Sequence, residues 1–333
     1  MESMREKGIF INRNKYLMGV VLAGLMLCAF PIVVNPYWLK FISFMLVSLT
    51  IACSWNLIGG FCNYFSFGHS VFFGIGAYVI AILYVRYQLN FFFCLFLAGI
   101  VSSIIALIIS PLLRLKGLNF ALATLALLEA SRVIFQKWSF TRGVQTNDSG
   151  WRFQTELSDG AFFYLILSVF ILMHFSFILF LSSRYGFSIA GIKTNEFMAK
   201  GLGINTTLCK ILAFILSSFW VGVIGAIYAP MISYISTQSI FSITWSIKPI
   251  IISILGGIGT LVGPILGGII LIFIDQMLWE RFLELHTLIY GAMLILIVIF
   301  LPNGIINYRH KVYSLFEKTN KTRTRKKDDE PRC

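Results

Sequence analysis

Long apolar runs recur along almost the whole chain, and they constrain its fold more than any other feature of the sequence. A helix needs roughly 20 apolar residues to cross a bilayer. Complete runs of this kind lie at 16–34, 39–58, 66–85, 91–113, 118–136, 161–181 and 209–230. A glycine-broken apolar region follows at 247–278, and a last run lies at 285–301. The pattern predicts an all-α polytopic membrane protein.

The composition supports this class and excludes two others. Charged residues make up 12% of the chain and hydrophobic residues 58%, whereas soluble proteins average about 25% and about 45–50%. So little charge cannot cover a soluble surface, and so much apolar content excludes an intrinsically disordered chain. The net charge of +13 comes from basic residues near the two ends and between the apolar runs. This placement is typical of topology signals, and we expect no nucleic-acid partner.

The distribution of Lys and Arg predicts the orientation. With a cytoplasmic N-terminus, 19 of the 27 basic residues fall on the cytoplasmic side and 7 outside, and Arg132 lies within a run. Cytoplasmic loops carry the excess of Lys and Arg, so both termini are predicted to be cytoplasmic and the number of crossings to be even. Region 247–278 then crosses twice or not at all, and a turn at Gly256–Thr260 would split it into a helical hairpin. We expect about ten membrane segments, including this glycine-broken hairpin.

The predicted organisation leaves no room for a separate soluble domain. It comprises a basic cytoplasmic N-terminus at 1–15, a transmembrane domain at 16–308 and a charged, disordered cytoplasmic tail at 309–333. No phosphate-binding loop, HExxH or GxSxG motif is present, and no Cys/His cluster has zinc spacing. We therefore expect neither an enzyme nor a metal site.

The cytoplasmic loop at 182–210 contains the most informative polar stretch. It predicts a short amphipathic helix that Asn195 caps, that begins with Glu196, and that ends at Gly201 or Gly203. Such a helix either fits a groove on another protein or rests on lipid. The spacing alone leaves both interpretations open.

A second group of candidates lies within or beside the apolar runs. Glu129 and Arg132 are three residues apart and share a helix face, so they either border a translocation path or fix helix packing. Glycine-broken segments near residues 56–76 and 256–268 point to unwound helices that expose backbone groups to a substrate. The candidate path residues are Gly68, His69, Glu129, Arg132, Gly256, Gly257 and Gly259.

Several ordered motifs carry a family resemblance that spans about residues 40–306. They are Ser66–His69 with Phe72–Tyr78, Phe120–Leu125 with Glu129 and Arg132, Ser183–Gly186 with Glu196, Ala199 and Leu202–Ile204, Ile254–Thr260 with Gly263–Pro264, and Pro302–Ile305. In this order and spacing the chain resembles LivM-type permeases of branched-chain amino acid ABC importers.

The resemblance implies a permease domain at 16–308 that moves leucine, isoleucine or valine across the bacterial cytoplasmic membrane by alternating access. It implies two ABC ATPase subunits, a second homologous permease that forms a heterodimer, a periplasmic substrate-binding protein and membrane lipid as partners. ATP-Mg would be used by the ATPases, and this chain would bind no cofactor. The residues expected to contact the ATPase are Lys193, Glu196, Ala199, Gly201, Leu202 and Gly203.

Two other functions stay open at this point. Related permeases carry urea or short amides. A stand-alone secondary transporter driven by an ion gradient would need acidic residues inside the membrane, and Glu129 is the one clearly inside a run.

Overall fold

A computed structural model describes residues 35–138, 150–155, 157–281, 291 and 304–305. The predicted span at 16–34, the predicted span at 285–301 except residue 291, both predicted termini and half of the loop at 137–160 lie outside the described residues. The predicted count of ten segments, the domain bounds and the cytoplasmic placement of the termini therefore stay predictions.

The described chain is mostly helical. In chain order the elements are α1 Pro36–Asn56, α2 His69–Ile80, α3 Phe91–Ile109, α4 Leu118–Lys137, β1 Trp151–Arg152, α5 Asp159–Ser182, α6 Arg184–Thr194, α7 Glu196–Gly201, α8 Thr206–Met231, β2 Tyr234–Ile235, α9 Thr237–Ile240, α10 Thr244–Gly256 and α11 Gly263–Arg281. A π-helical turn extends α1 through Leu57–Phe61, and a second extends α2 through Ala81–Arg86. A short 3₁₀ helix, Ser110–Arg114, follows α3.

Among the described residues, seven helical segments are long and apolar enough to cross a membrane. Six of them coincide with predicted runs, namely α1, α2, α3, α4, α5 and α8 with their short extensions. The seventh joins α9 and α10 as Thr237–Gly256, and α11 contains a shorter apolar helix, Gly263–Leu278. The prediction of a polytopic all-α membrane protein is confirmed.

The bundle core forms where α2, α3 and α8 pack together. A Cβ added at Gly76 would collide with the carbonyl oxygen of Gly222, and one at Gly225 with that of Phe73. Small residues at these positions let two helix backbones approach closely, which is how membrane helices gain packing energy without a hydrophobic driving force. The tight contact fixes α2 and α8 as the rigid centre of the bundle.

A second cluster joins α1, α10 and α11. A Cβ at Gly267 would collide with the carbonyl oxygen of Ile252, and one at Gly268 with the Leu49 side chain. Ser253 of α10 also donates a hydrogen bond to the carbonyl oxygen of Ala52 at 3.2 Å. These three helices therefore form one packed unit.

The loops that connect the helices lie in two groups, one at each end of the bundle. Strands β1 and β2 pair antiparallel, with Trp151 opposite Ile235, at the end where α1 and α10 begin. The segment that contains α6 and α7 lies at the other end, where α1 and α10 finish. Loops predicted to share one side of the membrane are therefore neighbours in the fold.

Candidate coupling and translocation site

Helices α6 and α7 form a compact segment across one end of the bundle, which we call the coupling segment (residues 184–205). Asn195 caps α7, because its side-chain oxygen accepts hydrogen bonds from the backbone N–H groups of Phe197 at 3.0 Å and Met198 at 3.2 Å. This is the cap that the sequence predicts. It satisfies two of the free N–H groups that begin the helix.

Gly203 ends α7. Its φ of +79° lies in the left-handed region that favours glycine. The Gly203 N–H donates to the carbonyl oxygen of Lys200 at 3.0 Å, and the Ile204 N–H donates to that of Ala199 at 3.2 Å. This is the Schellman pattern of helix termination. Gly201 has open space around it, so of the two predicted terminators Gly203 carries the turn.

The outer face of α7 is apolar and exposed. Phe197 is 86% exposed, Met198 67% and Leu202 81%. Ala199 on the opposite face is 3% exposed and packs into the core. We call Phe197, Met198 and Leu202 the apolar tip, and a contiguous patch of this kind marks a surface that another molecule covers.

A charged network ties α7 to the bundle. The Glu196 carboxylate lies 2.7 Å from Lys210 Nζ and 3.3 Å from Lys200 Nζ. The Lys210 side chain is only 4% exposed, and its ammonium also donates a hydrogen bond to Tyr64 Oη at 2.7 Å. Tyr64 lies between α1 and α2, so the network links α7, α8 and the α1–α2 loop. We call Glu196, Lys210 and Tyr64 the brace.

The brace keeps Glu196 ionised. Burial by itself raises the pKa of this carboxyl group. The hydrogen bond and charge of Lys210, the hydrogen bond from Lys200 and the charge of Lys116 outweigh it and lower the pKa below its ordinary value. At neutral pH the carboxylate therefore neutralises the nearly buried Lys210 ammonium.

The two glycine-broken regions meet beside the coupling segment. The Asn56 side-chain oxygen accepts a hydrogen bond from the Gly259 N–H at 2.8 Å, and its amide nitrogen donates to the carbonyl oxygen of Thr260 at 2.7 Å. A Cβ at Gly60 would lie 2.5 Å from the Gly259 nitrogen. We call this contact between the end of α1 and the α10–α11 turn the glycine junction, and define it by Asn56, Gly60, Gly257, Gly259 and Thr260.

Three glycines of the α10–α11 turn could not be replaced without a collision or backbone strain. A Cβ at Gly256 would collide with the carbonyl oxygen of Gly263. Gly257 has φ +125° and Gly259 φ +74°, backbone conformations that other residues rarely adopt. A Cβ added at Gly304 would lie 2.5 Å from the Cα of Gly257, so these two backbone positions are in close contact.

Lys193 connects the coupling segment to the glycine junction. A Cβ at Gly259 would collide with Lys193 Nζ, and the same nitrogen lies 6.0 Å from the centre of the Phe61 ring. Burial of the amino group lowers the pKa of Lys193, although the Cys62 thiol partly opposes this effect. Lys193 therefore lies beside both the end of α1 and the α10–α11 turn.

Gly68 and His69 lie in the helix-packing core. His69 is fully buried, and its Nε2 lies 2.9 Å from Ser217 Oγ, which itself donates to the carbonyl oxygen of Ser54 at 2.7 Å. A Cβ at Gly68 would make ordinary contacts at 3.4 Å or more. The structure therefore places His69 between α1, α2 and α8, and Gly68 beside Thr124 of α4.

Glu129 and Arg132 form the predicted ion pair on α4, with Oε2 and an Arg132 guanidinium nitrogen 2.9 Å apart. The Glu129 side chain is 46% exposed and that of Arg132 is 41% exposed. Only 28% of the residues in the most apolar stretch of α4 are buried. The pair therefore faces outward from the described bundle.

The structure brings Lys193, Glu196, Ala199, Gly256, Gly257 and Gly259 into one region, at or beside the coupling segment and the glycine junction. It places Gly68, His69, Glu129 and Arg132 elsewhere. Within the described part of the chain, no group of three His, Cys, Asp or Glu side chains could hold a metal ion.

Sequence reasoning missed the partners of the brace and most of the apolar tip. The sequence does not indicate Lys210 as a site residue, because its ion pair with Glu196 joins two helices and no local spacing predicts such a contact. Phe197 and Met198 are apolar residues within a polar loop. Their position in that loop is the one sequence feature that could have predicted an exposed apolar surface.

The comparisons with known proteins agree with this architecture. Residues 37–298 match the family model described as "Branched-chain amino acid transport system / permease component". The chain is 24% identical over 328 residues to the high-affinity branched-chain amino acid transport system permease protein LivM of Salmonella typhimurium, and 22% identical over 328 residues to the protein of the same name from Escherichia coli. Each alignment covers 90% of this chain and 76% of the relative.

No solved structure matches the chain significantly. The family match covers well over half of the sequence and includes every membrane-spanning helix described above, together with the coupling segment and the glycine junction. The protein therefore belongs to the family of membrane permease components of branched-chain amino acid transport systems.

Proposed function

We propose that this chain is the permease subunit of an ATP-driven ABC importer that carries leucine, isoleucine or valine into the bacterial cytoplasm. Family membership and the names of the two relatives support the substrate class. The observation that carries the coupling role is the apolar tip of α7, which stands exposed while its base is held by the brace.

The tip has the chemistry of a helix that docks in a groove. Phe197, Met198 and Leu202 project from a capped helix whose opposite face is buried, so the helix loses little conformational entropy when a partner covers it. Lipid is the competing occupant of this surface. The brace favours a protein partner, because a rigid attachment to α8 and to the α1–α2 loop transmits force.

In this proposal movement passes from the ATPases to the helices through two attachments. Closure of the ATPase dimer displaces α7, and the brace passes that displacement to α8 and Tyr64. Lys193 passes it to Gly259 and so to α1, α10 and α11. ATP shifts the balance between inward-open and outward-open states only through contacts that differ between them.

The remaining assembly follows from the same proposal. Two ABC ATPases bind and hydrolyse ATP-Mg, and this chain binds no cofactor. A periplasmic binding protein delivers substrate to the end of the bundle that carries β1 and β2, and both termini of this chain are cytoplasmic. A homologous second permease covers α4, since an ion pair exposed to lipid would be costly inside the membrane and Glu129 and Arg132 are partly exposed there.

The experiment is reconstitution in vesicles with and without the ATPases, the second permease and the binding protein. We expect leucine uptake that requires ATP and all partners, and loss of both uptake and ATPase pull-down in Glu196→Lys and Gly203→Trp variants that still insert. Uptake by this chain alone under an ion gradient would support a secondary transporter instead. Uptake of urea or a short amide in place of leucine would instead indicate a related permease that carries those compounds.

A further inference from the structure

A cleft of about 660 Å³ opens between α1, α8, α10 and α11 at the end of the bundle opposite the coupling segment. Its volume lies within the range of about 300–1,000 Å³ that is typical of small-molecule sites. Lys40 at its rim lies 3.3 Å from Asp159, the first residue of α5, which follows β1 in the chain. The cleft therefore faces the side on which the proposed function places the binding protein.

One wall of the cleft carries an opposite pair of charges. Lys248 of α10 and Asp275 of α11 approach to 2.6 Å between Nζ and Oδ2. Their side chains are 26% and 16% exposed, so both are partly desolvated but still reach the cleft. Charged groups this close to the membrane interior are costly unless they are paired or serve a ligand.

Apolar and aromatic side chains line the cleft beside this charged pair. Trp245 packs between Phe73 and Tyr228, with ring centres 4.7 and 5.1 Å away, and Phe44 contacts Tyr228 at 5.8 Å. Ile272 adds an aliphatic surface beside them. An apolar aromatic surface next to two charges of opposite sign is complementary to a ligand with an apolar side chain and a zwitterionic head.

We propose that this cleft is the outer substrate site of the permease, and that it binds an α-amino acid with Lys248 on its carboxylate and Asp275 on its ammonium group. The ligand inserts between the two side chains and exchanges their mutual ion pair for two new ones, so no charge is left uncompensated. Its aliphatic side chain lies against Trp245 and Tyr228. The inference rests on the proposed function and deepens it by assigning the place and the chemistry of substrate recognition.

The first experiment separates transport from ATPase coupling in the reconstituted complex. For Lys248→Met and Asp275→Asn we expect at least a tenfold loss of leucine uptake, while stimulation of ATP hydrolysis by the loaded binding protein stays within twofold of wild type. Arg114→Met, which likewise removes a cation but at an exposed position on the 3₁₀ helix after α3 and outside the cleft, should change neither. Uptake within twofold of wild type would overturn the inference. Joint loss of uptake and stimulation in properly assembled complexes would overturn it as well, because the pair would then serve assembly or coupling.

The second experiment reads the site directly and does not depend on variants of the ion pair. Thr244 lines the cleft and is exposed, and the four described cysteines are buried. Thr244→Cys therefore adds a site for a membrane-impermeant maleimide supplied from outside, and its labelling is measured against that of the unsubstituted chain. We expect L-leucine to slow labelling, and leucinamide and 4-methylpentanoate, which lack the carboxylate or the ammonium group, to have no effect. Equal protection by all three compounds, or labelling only by a membrane-permeant maleimide, would refute a zwitterion site and assign the cleft to lipid or to the second permease.

Discussion

The substitution Lys210→Met tests whether the brace holds the coupling segment in place. Methionine keeps most of the length of the side chain and removes the charge. Glu196 then loses its closest cation and Tyr64 loses its donor, whereas Lys200 stays 3.3 Å from the carboxylate. We expect α7 to detach from α8 more often, because the group that joins them is gone.

The expected size of the effect follows from burial. Removal of one partner from a fully buried ion pair costs about 3–5 kcal/mol, and an exposed pair contributes about 0.2–1 kcal/mol. Lys210 is 4% exposed and Glu196 20%, so the cost lies between these limits, at about 1–3 kcal/mol. A loss of this size makes local opening of the helix about 5- to 150-fold more frequent.

Hydrogen–deuterium exchange of the purified complex measures this opening at residues 197–204. Lys210→Met should accelerate exchange there by about 5- to 150-fold and leave the α2–α8 core unchanged. Lys200→Met is the matched control, because that lysine is 54% exposed, and it should accelerate exchange by less than about fivefold. Exchange in Lys210→Met within twofold of wild type, or an equal effect of the two substitutions, would refute the reasoning.

Three further predictions concern the glycine junction, the buried histidine and pH. Gly259→Ala should abolish uptake with normal membrane insertion, because Gly259 has φ +74° and no space for a Cβ. Gly191→Ala is the control, because a Cβ at Gly191 would meet open space, and it should retain uptake in the same vesicle assay. His69→Ala should lower the melting temperature and the amount of protein in the membrane but retain uptake per molecule, since His69 is fully buried in helix packing. Loss of uptake at normal stability would instead place His69 on the translocation path. Because the folded pKa of Glu196 is lowered, the brace should contribute fully above its ordinary value of 4.5 and weaken as pH falls below it. Protection of α7, corrected for the intrinsic exchange rate, should therefore be constant from pH 7 to 5 and fall at lower pH, and a fall already near pH 6 would contradict this.

The sequence was sufficient for features that depend on local chemistry. Six of the predicted apolar runs form helices long and apolar enough to cross a bilayer, because the length and hydropathy of a run can be read from the sequence alone. The cap at Asn195 and the turn at Gly203 were also predictable, since both use contacts within a few residues. The Glu129–Arg132 pair formed for the same reason, because residues three apart on a helix are neighbours.

Contacts between distant segments could not be predicted in this way. Lys248 and Asp275 form their ion pair across two helices whose relative position the sequence does not specify. The sequence indicates two glycine-broken segments but not their contact, and the structure shows that Asn56 holds the two regions together through hydrogen bonds. His69 had the sequence context of a path residue, but its packing against Ser217 depends on how α2 meets α8.

Site-specific photo-crosslinking tests the central claim most directly. A photoreactive amino acid at position 197, where Phe197 is 86% exposed on the apolar tip, should crosslink to the ATPase subunit in the assembled complex, and ATP should change the yield. The same group at position 199, where Ala199 is 3% exposed, should give no such adduct. Crosslinks from position 197 to lipid alone, at full assembly and with no dependence on ATP, would contradict the role of α7 as the contact through which ATP hydrolysis drives transport.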